Sequence, residues 1–295
     1  MNLSKNNSLI LLHIIIVIWG FTGILGKLIT LESYAIVLNR MSLSFIALFF
    51  IKQLLYKSFQ TKVKDIMIYG FIGVLIAIHW ISFFEAIKQS TVSLALICLS
   101  SISLFTAIIE PLIQGRKVRL YELTLSIFVI IGITIVFNYE TMYTTAIMLS
   151  VISAFFAALF TVFNHKLINS GHHALTITTW EMFGGSICVA IYMLLNNKVN
   201  WSIIPQGFDV IYILILSLIC TAFAFYASIE IMKKITPFTV NLSVNLEPIY
   251  SIILAIIIFG EEEKMSNEFY IGSVIIICSI VLNTIIKHYT SIKIK

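Results

Sequence analysis

Ten apolar runs, each long enough to cross a lipid bilayer and separated by short breaks, dominate this chain of 295 residues. A bilayer core takes about 20 apolar residues per helix. The runs lie near residues 9–29, 35–54, 66–87, 92–113 and 121–138, and then near 145–166, 174–195, 210–232, 237–259 and 269–286. Inside a bilayer every backbone N–H and C=O must find its partner within the protein, so runs of this length imply helices. The breaks leave no room for a soluble domain and force neighbouring helices antiparallel. The expected fold class is therefore all-α and integral to a membrane, with ten transmembrane helices and the lipid bilayer as first partner.

Composition agrees. The chain is 59% hydrophobic and only 11% charged, against about 25% charged in a soluble domain. Its net charge of +5 does not point to nucleic acid, because the basic residues fall in the breaks with no aromatic interleaving. There they orient the chain, since lysine and arginine collect on the cytoplasmic side. With the N-terminus in the cytoplasm, that side holds Lys5, Lys52, Lys57, Lys62, Lys64, Arg116, Lys117, Arg119, Lys166, Lys233, Lys234, Lys287, Lys293 and Lys295. The far side holds only Lys27, Lys88, Lys198 and Lys264, with the acidic run Glu261, Glu262 and Glu263. The expectation is a multi-pass protein of the cytoplasmic (inner) cell membrane, both termini cytoplasmic. The first run is too long for a cleavable signal peptide and lacks a small-residue cleavage site. Cys98, Cys188, Cys220 and Cys278 lie in apolar runs without paired spacing, so neither disulfide nor zinc is expected.

The chain reads as two copies of one design, residues 1–140 and 141–295. Glu85-Ala86-Ile87-Lys88 and Glu230-Ile231-Met232-Lys233 each close the third run of a half. Gln114-Gly115-Arg116-Lys117 and Phe259-Gly260-Glu261-Glu262 each follow the fourth. Five runs per half is odd, so the second copy enters the membrane from the opposite side. Two inverted five-helix repeats around a central cavity are a transporter signature.

These residues resemble a family. Leu246-Glu247-Pro248-Ile249-Tyr250, then Phe259-Gly260-Glu261-Glu262-Glu263 and Gly272, are similar to the second repeat of EamA-type proteins of the drug/metabolite transporter superfamily. His79-Trp80, Phe83-Phe84, Ala86-Ile87-Lys88 and Ser101 through Thr106 resemble the first. The resemblance implies two five-helix repeats and export of small metabolites or amino acids. Two positions depart from the pattern. Ser101 stands where the family commonly has proline, so the first-half helix is expected to be less broken than its partner. Arg116 stands where a loop glutamate is expected.

Ionisable residues within spans cost about 2.5–3.5 kcal/mol each on insertion scales and face the bundle interior. Glu247, beside the helix-breaking Pro248 and after Asn241 and Asn245, is the leading candidate for a substrate or proton contact; a kinked helix bonded to its neighbour is the alternative. His79 can take a coupled proton, and Trp80 can stack on a planar group. Arg40 can fork onto a carboxylate, and Glu181, after Trp180, can mirror it; internal ion pairing is as good a reading for both. Glu85 with Lys88 and Glu230 with Lys233 sit at the spacing that puts two side chains on one helix face, as gating or structural pairs. Glu110 reads as a helix-end salt-bridge partner near Arg116 and Lys117, or a gate. Pro237 and Pro248 mark helix breaks.

The favoured function is a secondary transporter exporting a small organic metabolite or amino acid by alternating access. Without a Walker motif, ATP is not the direct energy source. Proton coupling, uniport and exchange stay open. An intramembrane enzyme would need a motif such as HExxH or GxSxG, and neither is present. A sensor or structural protein would lack a polar cavity. No cofactor, metal or nucleic-acid partner is expected, and His172-His173 has no carboxylate at ligand spacing.

Overall fold

A computed structural model describes residues 4–55, 61–115, 117, 120–244 and 246–292. Lys57, Arg116, Arg119, Asn245, Lys293 and Lys295 lie outside the described residues. Those described form helices and turns, with no strand among them. The helices are α1 (Lys5–Leu28), α2 (Ser33–Leu55), α3 (Val63–Gln89), α4 (Val92–Leu99), α5 (Ile102–Gln114), α6 (Leu120–Tyr139) and α7 (Thr144–Asn169). There follow α8 (Ala174–Leu195), α9 (Phe208–Ser217), α10 (Ala224–Ile231), α11 (Pro237–Val244), α12 (Glu247–Phe259) and α13 (Asn267–Ile292). Isoleucine and valine are indifferent helix formers in water. In lipid the helix is the structure that satisfies every backbone group within one segment.

Seven stretches among the described residues are long and apolar enough to cross a membrane. They are Asn6–Leu28, Ser33–Leu55, Val63–Gln89, Val92–Gln114, Thr141–Asn169, Ala174–Leu195 and Phe208–Ile231. Ile127–Tyr139 and Asn267–Ser279 are shorter apolar helices.

Three of the expected runs are interrupted. The 237–259 run is two helices, α11 and α12, that meet at Leu246. Pro237 opens α11 and Pro248 occupies the first turn of α12. Both prolines thus start helices, where their missing N–H costs nothing, rather than interrupting one. The 92–113 run also divides, at Ser100–Ser101, so the expectation that serine would leave it less broken is corrected. The hydroxyls explain the break without proline. Ser101 Oγ donates to Cys98 O at 2.8 Å and Ser103 Oγ to Ser100 O at 3.1 Å, competing with helical N–H groups for those carbonyls. Between α9 and α10 the backbone widens into a π turn, Leu218–Phe223.

Small residues set the closest packing. α3 runs along α7 and α8, and α6 along α13. A Cβ on Gly184 would overlap Gly70, and one on Gly272 would meet Gly132 O. Without side chains at these points the backbones touch, as in tightly associated membrane helices.

Candidate functional site

A single cavity gathers most of the residues singled out by sequence. Its empty space, including the part open to solvent, is about 720 Å³, and its walls come from α1–α5, α7, α10, α11 and the start of α12. Arg40, His79, Trp80, Asn241 and Glu247 all line it, with apolar walls from Trp19, Phe83, Phe160 and Phe225. Such a mix, apolar walls with a few convergent polar groups, is that of a small-molecule site.

Arg40 is 2% exposed. Its guanidinium lies over the Trp80 ring, 3.7 Å from the centroid, a cation–π contact strengthened by desolvation. Its Nε donates to Thr221 Oγ1 at 2.5 Å. Thr221 belongs to the π turn, and its hydroxyl in turn donates to Leu216 O at 2.8 Å. The same turn offers Cys220 O to Trp19 Nε1 at 3.1 Å. π turns of this kind recur at functional sites. Arg40 Nη1 has no hydrogen-bond partner among the described residues.

Glu247 begins α12, where the helix dipole favours a negative charge, and Arg40 attracts it across the cavity. His79 Nδ1 lies 2.7 Å from Ser153 Oγ and 3.0 Å from Ser153 O. Asn241 Nδ2 donates to Thr106 Oγ1 at 2.8 Å, tying α11 to α5. Two more polar side chains line the cavity, Thr22, whose hydroxyl interacts with Cys220, and Asn164, whose amide interacts with Glu181. In the sequence Asn164 is a polar residue in an apolar run, with no proline or charge beside it to single it out. Nothing in sequence links Arg40 to Thr221.

Trp180 and Glu181 lie off the cavity wall. Trp180 packs edge-on to Phe183, ring centroids 5.5 Å apart. Glu181 is buried where α8 meets α3. Asn245 falls outside the described residues.

The end-of-helix charges divide. Glu230 and Lys233 form the expected pair at 2.6 Å. Glu85 and Lys88 do not. Lys88 Nζ donates to Ile29 O at 3.0 Å, while Glu85 accepts from Ser33 Oγ at 2.5 Å and Gln89 Nε2 at 2.8 Å. Here the chain entering α2 competes successfully for both side chains. Glu110 is buried and accepts from the Phe238 N–H at 3.0 Å, capping the start of α11. Sequence reading overlooked its counterpart. Glu263 accepts from Val92 N at 3.1 Å, Ser93 N at 2.9 Å and Ser93 Oγ at 2.7 Å, capping α4, and from Lys27 Nζ at 3.0 Å.

The sequence model of the EamA-like transporter family matches the chain twice, over residues 6–138 and 144–285. No curated protein matches. Among solved structures, one described as "Crystal structure of protein" is similar with a TM-score of 0.71. The likeness covers 96% of this chain and 99% of that one at 14% identity, and it is a likeness of fold. With the apolar helices, the family match makes this a multi-pass membrane protein.

Proposed function

The chain belongs to the EamA-like transporter family, and from that premise we propose a secondary transporter that exports a small organic metabolite or amino acid across the cytoplasmic membrane. The proposed architecture is ten transmembrane helices in two inverted five-helix repeats, residues 1–140 and 141–295, with both termini cytoplasmic. The carrying observation is the cavity. Trp19, Arg40, His79 and Trp80 come from the first matched region, and Phe160, Phe225, Asn241 and Glu247 from the second. A solute held between two such halves is released to either side as they rock, which is alternating access.

In this reading Arg40 and Glu247 contact charged groups of the solute. Arg40 offers its free Nη1 to an anionic group while Trp80 and Thr221 hold its fork in place. Trp80 and the phenylalanines receive the apolar body. His79 and Asn241 hold the wall through Ser153 and Thr106. Glu230–Lys233 and the Glu85, Lys88 and Glu110 contacts fasten helix ends that move in transport. Coupled protons act on Glu247 or His79; uniport and exchange are the other energetic schemes.

The test is an export screen. A sensitive host expressing the protein is challenged with toxic metabolites and amino-acid analogues. Protection by the parent chain that disappears in Glu247→Ala and His79→Ala is the expected result. Protection that persists in both removes the site assignment. In proteoliposomes, flux indifferent to both a pH gradient and Glu247→Gln rules out coupling through that carboxyl.

A further inference from the structure

Glu181 does not line the cavity, yet it is 0% exposed, and among the described residues its carboxyl makes no close hydrogen bond beyond its interaction with the Asn164 side chain. It sits where α3 and α8 touch backbone to backbone, and a Cβ on Gly73 would run into the Glu181 carbonyl. Beside the carboxyl stands Asn164 of α7, 1% exposed, whose amide lines the cavity. Glu181 is the side chain that Asn164 meets away from the cavity. The Glu181 carboxyl therefore sits behind the cavity wall, facing an Asn164 amide that does line it.

The remaining polar groups lead toward the loop between α7 and α8. Tyr69 of α3 interacts electrostatically with Glu181 and with Asp65. Its hydroxyl lies 2.5 Å from Nδ1 of His172 in that loop. Four other ionisable side chains on the packed helices are engaged with other groups, while Lys64 of α3 and Lys166 of α7 lie nearer the helix ends. Arg40 of α2 lies over Trp80, His79 of α3 is bonded to Ser153, Glu230 of α10 pairs with Lys233, and Lys52 of α2 reaches Thr61.

We propose that Glu181 is a proton-binding site, separate from Glu247, with Asn164 as its contact to the cavity and the Tyr69–His172 pair as its polar continuation toward the α7–α8 loop. Intramembrane carboxyls that meet a wet cavity mark proton relays. The neighbouring amide suits both protonation states. Its Nδ2 can donate to the carboxylate, and its Oδ1 can accept from the neutral acid. The O–H bond formed on loading takes its proton from hydronium in the cavity, and the same bond breaks on unloading, with no other atom exchanged. A proton here sits across the cavity wall from the solute without competing for the solute's own contacts.

The test reads protons directly and needs no solute, so its failure is separable from failure of the export reading. Full-length protein in lipid nanodiscs is titrated from acid to alkaline buffer, and carboxyl stretching bands are followed by infrared difference spectroscopy. The expected result is a titrating band lost in Glu181→Gln and retained in Glu247→Gln, with its midpoint moved in Asn164→Ala and Tyr69→Phe. A band set unchanged in Glu181→Gln overturns the proposal. If Glu181→Gln does not fold, the decision passes to the other two variants, and an unmoved midpoint in both overturns it equally.

Discussion

Glu263 is the residue whose removal the structure prices most closely. Its side chain is 0% exposed and receives four donors, namely Lys27 Nζ, Val92 N, Ser93 N and Ser93 Oγ. Val92 and Ser93 open α4, where the first N–H groups of a helix have no partner within it. Each buried N–H left unsatisfied costs about 1–3 kcal/mol. Lys27 suffers less, since it keeps Glu262 at 3.3 Å and the Phe259 ring at 4.3 Å from its Nζ. Breaking a buried charge pair from one side costs about 3–5 kcal/mol, and the two stranded N–H groups fall in the same range. Glu263→Ala is therefore expected to destabilise by about 3–5 kcal/mol. Glu262 is the internal control. It shares Lys27, but its side chain is 73% exposed, and an exposed pair contributes at most about 1 kcal/mol. Reversible unfolding of the purified protein in mixed micelles, with the two single variants side by side, measures both. Indistinguishable curves for Glu262→Ala and Glu263→Ala would refute the capping account. Glu263→Gln should recover only part of the loss, because its amide NH2 must face a donor.

Other expectations follow from the same contacts. Arg40→Lys keeps the charge but loses the stack on Trp80, worth about 2 kcal/mol when desolvated, and the Nε hydrogen bond to Thr221. Protection in the export screen should fall by about tenfold or more, and a fully active Arg40→Lys would show that the stack is idle. Thr221→Val removes a hydrogen bond to a charged donor and should cost about 1.5–3 kcal/mol in unfolding experiments. Gly184→Ala forces α3 and α8 apart and should lower stability by about 1–3 kcal/mol, measured as a fall in melting temperature. Glu85→Gln leaves Lys88 on the Ile29 carbonyl, so the stability of a Glu85→Gln, Lys88→Met double variant should be additive within about 0.5 kcal/mol; strong coupling would restore the direct pair.

Membrane helices were legible because hydrophobic length is a one-dimensional signal. The expected runs at 35–54 and 174–195 coincide closely with α2 and α8. Interruptions were harder. Proline announces a break at 237–259, but the break at Ser100–Ser101 depends on hydroxyls turning back onto carbonyls, which apolar periodicity does not reveal. Buried charge found the cavity, since Arg40, His79 and Glu247 have nowhere else to go in a lipid-facing chain. It ranked Glu247 above Glu181 through the neighbouring Pro248, yet placed both on the transport path, because both are single carboxyls in apolar runs. Only the packing separates them, with α12 opening onto the cavity and α8 closing against the glycines of α3. Partners far apart in sequence stayed hidden, as with Arg40 and Thr221, or Glu263 and Ser93.

The two broken helices explain why those hidden caps matter. α4 packs on α12 and α5 on α11, so the two breaks face one another. A small second cavity between them is lined by Leu99, Ser100, Val244 and Glu247. Each interrupted stretch begins with N–H groups that need an acceptor, and in both cases it comes from the other stretch. Glu110, near the end of α5, caps α11. Glu263, just past the end of α12, caps α4. The exchange ties the four short helices crosswise at both ends, while the breaks meet in the middle beside Glu247. Strain applied at either end is therefore passed through a cap to the opposite stretch and concentrated at the breaks. In the proposed alternating access, that makes Ser100–Ser101 and Leu246 the hinge. Motion there necessarily carries Glu247 with it, so the carboxyl that meets the solute is also the one the hinge repositions.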